Sequence, residues 1–205
     1  MKVLETSILV IGESRKPTFR YLSQLERKPT NDRVFLMDPF RKDEWERLEE
    51  ELTTIAKTDG TVCLMSDTGM PILFDPGAEV LALCRKLKFE IRSTAGATSW
   101  GMAAALSGFP PPFFVEGFLP RDNAERIGRL KELKQVKAGL ILMDTPYRFQ
   151  LLLKQCAEAL GKREAFLGWE LTKQEERLLW GSLSELEKTA RAEKLEKGEF
   201  ILVIR

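Results

Sequence analysis

Three short stretches concentrate the residues able to do chemistry. Residues 66–71 read Ser66-Asp67-Thr68-Gly69-Met70-Pro71, and the same loop runs on to Asp75-Pro76-Gly77. Residues 95–99 read Ala95-Gly96-Ala97-Thr98-Ser99. Residues 144–148 read Asp144-Thr145-Pro146-Tyr147-Arg148. Each mixes small residues with hydroxyls or a carboxylate. Glycine lets a ligand approach the backbone closely, and hydroxyls and amides give directional hydrogen bonds. Asp67 and Asp75 lie across a turn and have the chemistry of an acid–base pair, although spacing alone leaves their separation open. Any one of these loops reads equally well as a polar turn. Three of them, each at the carboxyl end of an expected strand, point to a ligand. Thr98 and Ser99 also suit the cap of a following helix.

The residue inventory removes several chemistries. There is no histidine, so Ser-His-Asp and Cys-His catalysis in their usual forms and His-ligated metals are excluded, and no metal is expected. Cys63, Cys84 and Cys156 lie far apart in apolar stretches, without a CxxC, and read as reduced core thiols. Neither GxxxxGK[ST] nor GxGxxG occurs, so nucleotide hydrolysis and dinucleotide redox chemistry lack support. With 32 Lys+Arg against 31 Asp+Glu the net charge is +1, and a polyanion must be met by a local patch.

Short apolar runs alternate with amphipathic stretches, which predicts the elements that hold these loops. Strands are expected at residues 7–12, 33–37, 61–65, 89–93, 113–118, 139–143, 164–169, 177–180 and 199–204. Helices are expected at 17–25, 43–57, 78–87, 99–106, 123–136, 149–160 and 183–195. The run Gly108-Phe109-Pro110-Pro111-Pro112 cannot continue a helix and stiffens the path. The expected fold is therefore α/β, with an N-terminal domain over residues 1–109 and a C-terminal domain over 113–205. The 205 residues, 43% apolar and 31% charged, suffice for a core and exclude global disorder. No apolar run approaches the ~20 residues of a membrane span, and the first residues do not read as a secretory signal. A cytoplasmic protein without membrane attachment is expected.

Beyond these arguments, the sequence resembles the tetrapyrrole-methylase-like (class III) S-adenosylmethionine-dependent methyltransferases. Within them it is similar to the ribosomal RNA small subunit methyltransferase I group, which modifies the 2′-hydroxyl of a cytidine. That group's SDAGTPxxxDPG is met by SDTGMPILFDPG at residues 66–77. A PGPSA-like turn before a small-residue helix is met by AGATS at 95–99, and FxFEGFLPR by FFVEGFLPR at 113–121. ETPYR is met by DTPYR at 144–148, RELTK by WELTK at 169–173, and KGEFVLV by KGEFILV at 197–203. Upstream, Glu13-Ser14-Arg15 with Thr18 and Arg20 is similar to the group's AEDTR segment. Thr94 stands where the second loop usually opens with proline, and Trp169 where arginine is usual. The resemblance further implies a shortened relative, without the family's opening strand and Pro/Gly-rich loop and without a short region after the last strand.

The resemblance implies two small α/β domains with a cofactor cleft between them, in a homodimer. It implies S-adenosyl-L-methionine as cofactor, contacted by Ser66, Asp67, Thr68, Gly69, Thr98, Ser99, Tyr147, Glu170, Leu171 and Thr172. Methyl transfer from a reactive sulfonium depends largely on positioning; Asp67, Glu13 and Lys173 are the candidates to assist a ribose hydroxyl. Glu13 reads equally as a solvated partner of Arg15 or Arg20. Ribosomal RNA or the small ribosomal subunit is the implied partner. Basic clusters suited to phosphate are Arg15, Lys16, Arg20, Arg27 and Lys28, and the segment with Arg121, Arg126 and Arg129; each also reads as a solvated helix face. Tyr147 and Phe118 suit stacking on a base or adenine, or a place in the core. The expected activity is 2′-O-methylation of a ribose in small-subunit ribosomal RNA. The alternatives are a methylase of a small molecule such as a tetrapyrrole, and a degenerate non-catalytic paralogue that binds the cofactor or RNA.

Overall fold

The computed structural model describes residues 2–26, 30, 33–37 and 42–205. Arg27 and Lys28 of the first basic cluster lie outside the described residues. The chain divides into two compact units, Met1–Ala97 and Thr98–Arg205.

In the first unit β1 (Leu9–Gly12) lies between β2 (Val34–Leu36) and β3 (Val62–Leu64), parallel to both. Every β1 residue is buried, as a central parallel strand covered on both faces requires. Leu9 and Ile11 pack with Leu48, Leu52 and Ile55 of α3 (Lys42–Ile55) and with Val80 and Leu83 of α4 (Ala78–Lys86). Val10 points the other way, into a cluster with Leu22 and Leu25 below α2 (Arg15–Leu22). The α3 spacing of four and three residues places its apolar side chains on one face. A short α1 (Lys2–Thr6) precedes β1.

The second unit begins with α5 (Ser99–Ser107) and carries a five-stranded mixed sheet. Its strands are β4 (Phe113–Phe118), β5 (Gly139–Met143), β6 (Glu164–Trp169), β7 (Arg177–Ser182) and β8 (Phe200–Ile204), in the order β4-β5-β8-β6-β7. β4 runs parallel to β5; β8 is antiparallel to both β5 and β6. All five β8 residues are buried, because β8 has a strand on either side. On one face Ala103 of α5 packs with Ile141, Phe166, Ile201 and Val203. On the other, Leu140, Leu142, Leu167 and Leu202 pack with α7 (Phe149–Leu160) and α8 (Leu183–Ala192). Asp122 caps α6 (Asn123–Leu133) by accepting from the amides of Ala124 and Glu125. Ser182 and Glu185 form a reciprocal capping box on α8.

Two local expectations are corrected. Residues 89–93 form no strand: Ile91 is exposed and Arg92 pairs with its neighbour Glu90. A lone extended segment there has no strand to satisfy its backbone. The sequence reading also gave no helix at α1 or at the 3-10 turn Pro146–Arg148. Among the described residues no helix is long and apolar enough to cross a membrane.

Candidate functional site

In the first unit the carboxyl ends of β1 and β3 stand side by side, because the two strands are parallel neighbours. Each opens into a polar loop, and the loops clasp each other. The Asp67 amide donates to Glu13 Oε2 at 2.9 Å. The Ser14 amide donates to Asp67 Oδ1 at 3.1 Å, and the Ser14 hydroxyl donates to Asp67 Oδ2. Ser14 stands at the N-cap of α2 but makes no side-chain cap, since its hydroxyl is engaged by Asp67. Ser66, buried, donates to the carbonyls of Thr68 and Gly69 at 3.2 and 3.3 Å. These bonds fold the loop, and Gly69 turns it in the left-handed region with φ 78°.

Asp75 joins this group. Burial raises its pKa above the ordinary carboxylate range, the charges of Glu13 and Asp67 raise it further, and a hydrogen bond with Ser66 opposes them. The loop at 95–97 closes on the first: a Cβ on Gly96 would meet Met70 Cγ at 2.7 Å. A cleft of about 430 Å³ opens here, lined among others by Leu4, Cys63, Ser66, Asp67, Gly69 and Ala95. Its lining suits a methyl-donor cation: the Asp67 carboxylate for a positive charge, hydroxyls, small residues and apolar side chains. Arg15 and Arg20 lie over the rings of Phe19 and Tyr21 at 4.9 and 5.5 Å, and Lys16 beside them is exposed.

In the second unit three separate stretches of sequence meet at one end of the sheet. β8 is antiparallel to β5 and β6, so its start lies where they finish. The Glu199 amide donates to Glu170 Oε1 at 2.7 Å and the Glu170 amide to the Glu199 carbonyl at 2.8 Å. Lys173 pairs with Glu170, and that ammonium with the Glu199 amide holds the Glu170 carboxyl below its ordinary range. Thr172 donates its amide to Glu176 at 2.7 Å, and Leu171 packs beside the α5 face of the sheet. Glu170 and Thr172 both have positive φ, 46° and 68°, so the turn is tightly specified. Gly198 passes so close that a Cβ would meet Trp169 Cζ2 at 2.4 Å. Trp169 itself is buried against Phe149, ring centroids 4.7 Å apart, so the residue at this position serves the core.

Thr98 caps α5 by accepting from the Gly101 amide at 3.2 Å, and Ser99 is the first residue of that helix. Asp144, buried, holds the Arg148 guanidinium at 2.5 Å, and Arg148 also donates to the Pro120 carbonyl at 3.5 Å. Tyr147 stands 77% exposed, with Lys197 Nζ 4.2 Å from its ring centroid. That ammonium lowers the Tyr147 pKa.

The RNA-facing assignment of Arg126 is overturned. Arg126 is 2% exposed. It donates to Gln155 at 2.7 Å, to the Pro120 and Arg121 carbonyls, and to Asn123 at 3.0 Å. A buried guanidinium needs such partners, and with these donors engaged it is not offered to phosphate. Arg129 is half-buried and makes a two-pronged pair with Glu116 at 2.7 Å, plus Glu132 at 2.8 Å. Arg121 is exposed. The three thiols are unpaired cysteines; burial pushes Cys63 and Cys84 up and Cys156 to about 12.

The sequence reading missed Ser14 as a partner of Asp67, and Lys197. A serine at a helix start was the signal for the first. Lys197 opens the KGEFILV match, but its place beside Tyr147 follows only from the strand order.

The sequence profile of the tetrapyrrole (corrin/porphyrin) methylases matches residues 1–187. A ribosomal RNA small subunit methyltransferase I of Micromonospora olivasterospora is 32% identical over 205 residues, covering all of this chain and 64% of that protein. That of Bacillus subtilis is 35% identical over 149 residues, 72% of this chain and 51% of that protein. That of Thermotoga maritima is 30% identical over 188 residues, 90% of this chain and 81% of that protein. The chain thus spans between about half and two thirds of the length of the first two. Among solved structures, a cobalt precorrin-4 methyltransferase matches 99% of this chain and 85% of its own, with a TM-score of 0.61 and 14% identity. A Thermus thermophilus uroporphyrin-III C-methyltransferase complexed with S-adenosyl homocysteine matches 99% of this chain and 87% of its own, with a TM-score of 0.56 and 15% identity. At these identities the likeness is one of fold.

Proposed function

This chain belongs to the tetrapyrrole (corrin/porphyrin) methylase family, and on that premise we propose that it is an S-adenosylmethionine-dependent methyltransferase acting on a ribose 2′-hydroxyl of small-subunit ribosomal RNA. The observation that carries the acceptor is the 30–35% identity with three proteins named ribosomal RNA small subunit methyltransferase I. The cytoplasm and a homodimer are the setting that goes with this reading.

In the first unit Ser66, Asp67, Thr68 and Gly69 would hold the donor. When bound, S-adenosylmethionine supplies an electrophilic methyl on a cationic sulfonium. Glu13, Asp67 and Asp75 give the cleft a negative field that favours such a cation. The Glu13–Asp67–Ser14 clasp fixes both loops before the ligand arrives, which reduces the ordering required on binding. Thr98, Ser99 and the Glu170-Leu171-Thr172 turn are the second unit's donor contacts in this reading. The hydroxyl proton needs an acceptor. Asp75, whose proton affinity is raised, has the property such a base requires and joins Glu13, Asp67 and Lys173 as a candidate.

Calorimetry with S-adenosylmethionine, and with ATP as control, tests the donor; transfer of labelled methyl to small ribosomal subunits, read by nucleoside mass spectrometry, tests the acceptor. Selective donor binding and a 2′-O-methylated nucleoside are expected. Folded protein that binds no donor, or that binds it and leaves RNA unmodified, overturns the reading.

A further inference from the structure

The loops after β4 and β5 form an exposed surface on the second unit. Tyr147 is the most exposed large apolar or aromatic side chain among those described, at 77%. It sits in the 3-10 turn Pro146–Arg148, where proline opens the turn and restricts it. Lys197 lies against its ring at 4.2 Å. Arg148 is tied to the buried Asp144 and to the Pro120 carbonyl, so it bridges the loop after β5 to the loop after β4. On the latter, Phe118 at the end of β4 is 50% exposed and Arg121 is exposed. Phe118 and Met143 are register partners, so the two loops leave the sheet together.

This is an aromatic ring with an ammonium over one face and its other face open, built on rigid supports. A cationic sulfonium is a poor match for a ring that already carries an ammonium, because the two charges repel. A nucleotide is a good match. Its base has a π-face for the tyrosine, and its phosphate has the charge that Lys197 and Arg121 complement. We infer that Tyr147 and Lys197 form a single-stranded RNA site, with a base stacked on the open face of Tyr147 and the backbone phosphate held by Lys197, while Arg148 braces the turn through Asp144 and Pro120. Tyr147 thereby passes from the donor's contacts to the acceptor's. The inference rests on the reading of RNA as the acceptor.

Fluorescence anisotropy of the full chain with a fluorescein-labelled single-stranded RNA about 10 nucleotides long tests the site. Tyr147→Ala should weaken binding about tenfold, as loss of one stacked base implies, while Tyr147→Trp retains it. Lys197→Ala should lower the slope of log affinity against log salt by about one. Donor affinity by calorimetry and the sedimentation coefficient should stay as in the parent. Tyr147 and Lys197 are exposed, so neither variant threatens folding. Unchanged RNA affinity in Tyr147→Ala overturns the site. So does a loss of donor affinity with RNA affinity intact, which returns the ring to the donor. A changed sedimentation coefficient also overturns it, since the face then joins two copies of the chain. Methyl transfer separates the two claims. A parent protein that binds donor and modifies no RNA sinks the acceptor reading. A parent that modifies RNA, with the same RNA KM in Tyr147→Ala, sinks the platform alone.

Discussion

Asp67 and Glu13, 54 residues apart in sequence, are locked by the Asp67 amide donating to Glu13 Oε2 at 2.9 Å, while the Asp67 carboxylate accepts two hydrogen bonds from Ser14. The clasp joins the loops after β1 and β3 into one body. Asp67→Asn keeps the shape but removes the charge and forces the Ser14 hydroxyl to turn from donor to acceptor. It should cost about 1–3 kcal/mol and weaken S-adenosylmethionine binding by roughly tenfold or more. Urea denaturation and calorimetry read the two effects. An unchanged donor affinity would separate the clasp from the ligand.

With Asp75 as the base, stability and activity should run in opposite directions with pH. It holds its proton more tightly in the folded chain than in the unfolded one. Between the ordinary carboxylate range, near about pH 4, and its raised value, the folded state therefore binds more protons. Stability falls as pH rises through that window. If Asp75 accepts the hydroxyl proton, kcat/KM rises through the same window. Asp75→Asn should remove its share of the stability slope and flatten the acid limb of the rate profile. Melting temperature and rate, each followed against pH, check this. A rate profile unchanged in the variant would leave Asp75 with a purely electrostatic part.

Arg126→Ala strands Gln155, Asn123 and two carbonyls around an emptied buried site. A loss of about 2–4 kcal/mol is expected. Lysine should not rescue it, because an ammonium cannot reproduce the planar fork of a guanidinium. Affinity for RNA, measured where the variant is still folded, should equal that of the parent.

Gly198→Ala should cost about 1–3 kcal/mol through overpacking, because the new Cβ would sit 2.4 Å from Trp169 and 2.7 Å from Glu170 Oε1. The displaced Glu170 should release Lys173. Chemical denaturation gives the loss of stability, and near-ultraviolet circular dichroism reports the displaced Trp169. A variant as stable as the parent would mean that the β8 start can retreat.

Strand and helix types were legible wherever burial dictates pattern. The unbroken LVIG of β1 and FILVI of β8 announce strands with neighbours on both sides, and Leu48, Leu52 and Ile55 announce one helical face. Residues 89–93 misled because the alternation Phe89-Glu90-Ile91-Arg92 looks like a half-buried strand whether or not a partner exists. Of the candidate site, the polar loops were legible from their glycines and hydroxyls. Their mutual contacts were not. Glu13 and Asp67 meet only because β1 and β3 are neighbours, and Tyr147 meets Lys197 only because β8 inserts between β5 and β6. Arg126 was misread for a related reason: a helical arginine on a basic stretch looks solvated until the segment it packs against is known.

The insertion of β8 between β5 and β6 also sets an order of events during synthesis. Every other strand of that sheet precedes it in the chain. As the polypeptide emerges, β5 and β6 wait with open edges until residues 200–204 arrive between them. The first unit, whose parallel sheet is complete by Leu64, meets no such delay. Nascent chains should therefore acquire protease resistance in two steps, the second appearing abruptly once residues 200–204 clear the ribosome.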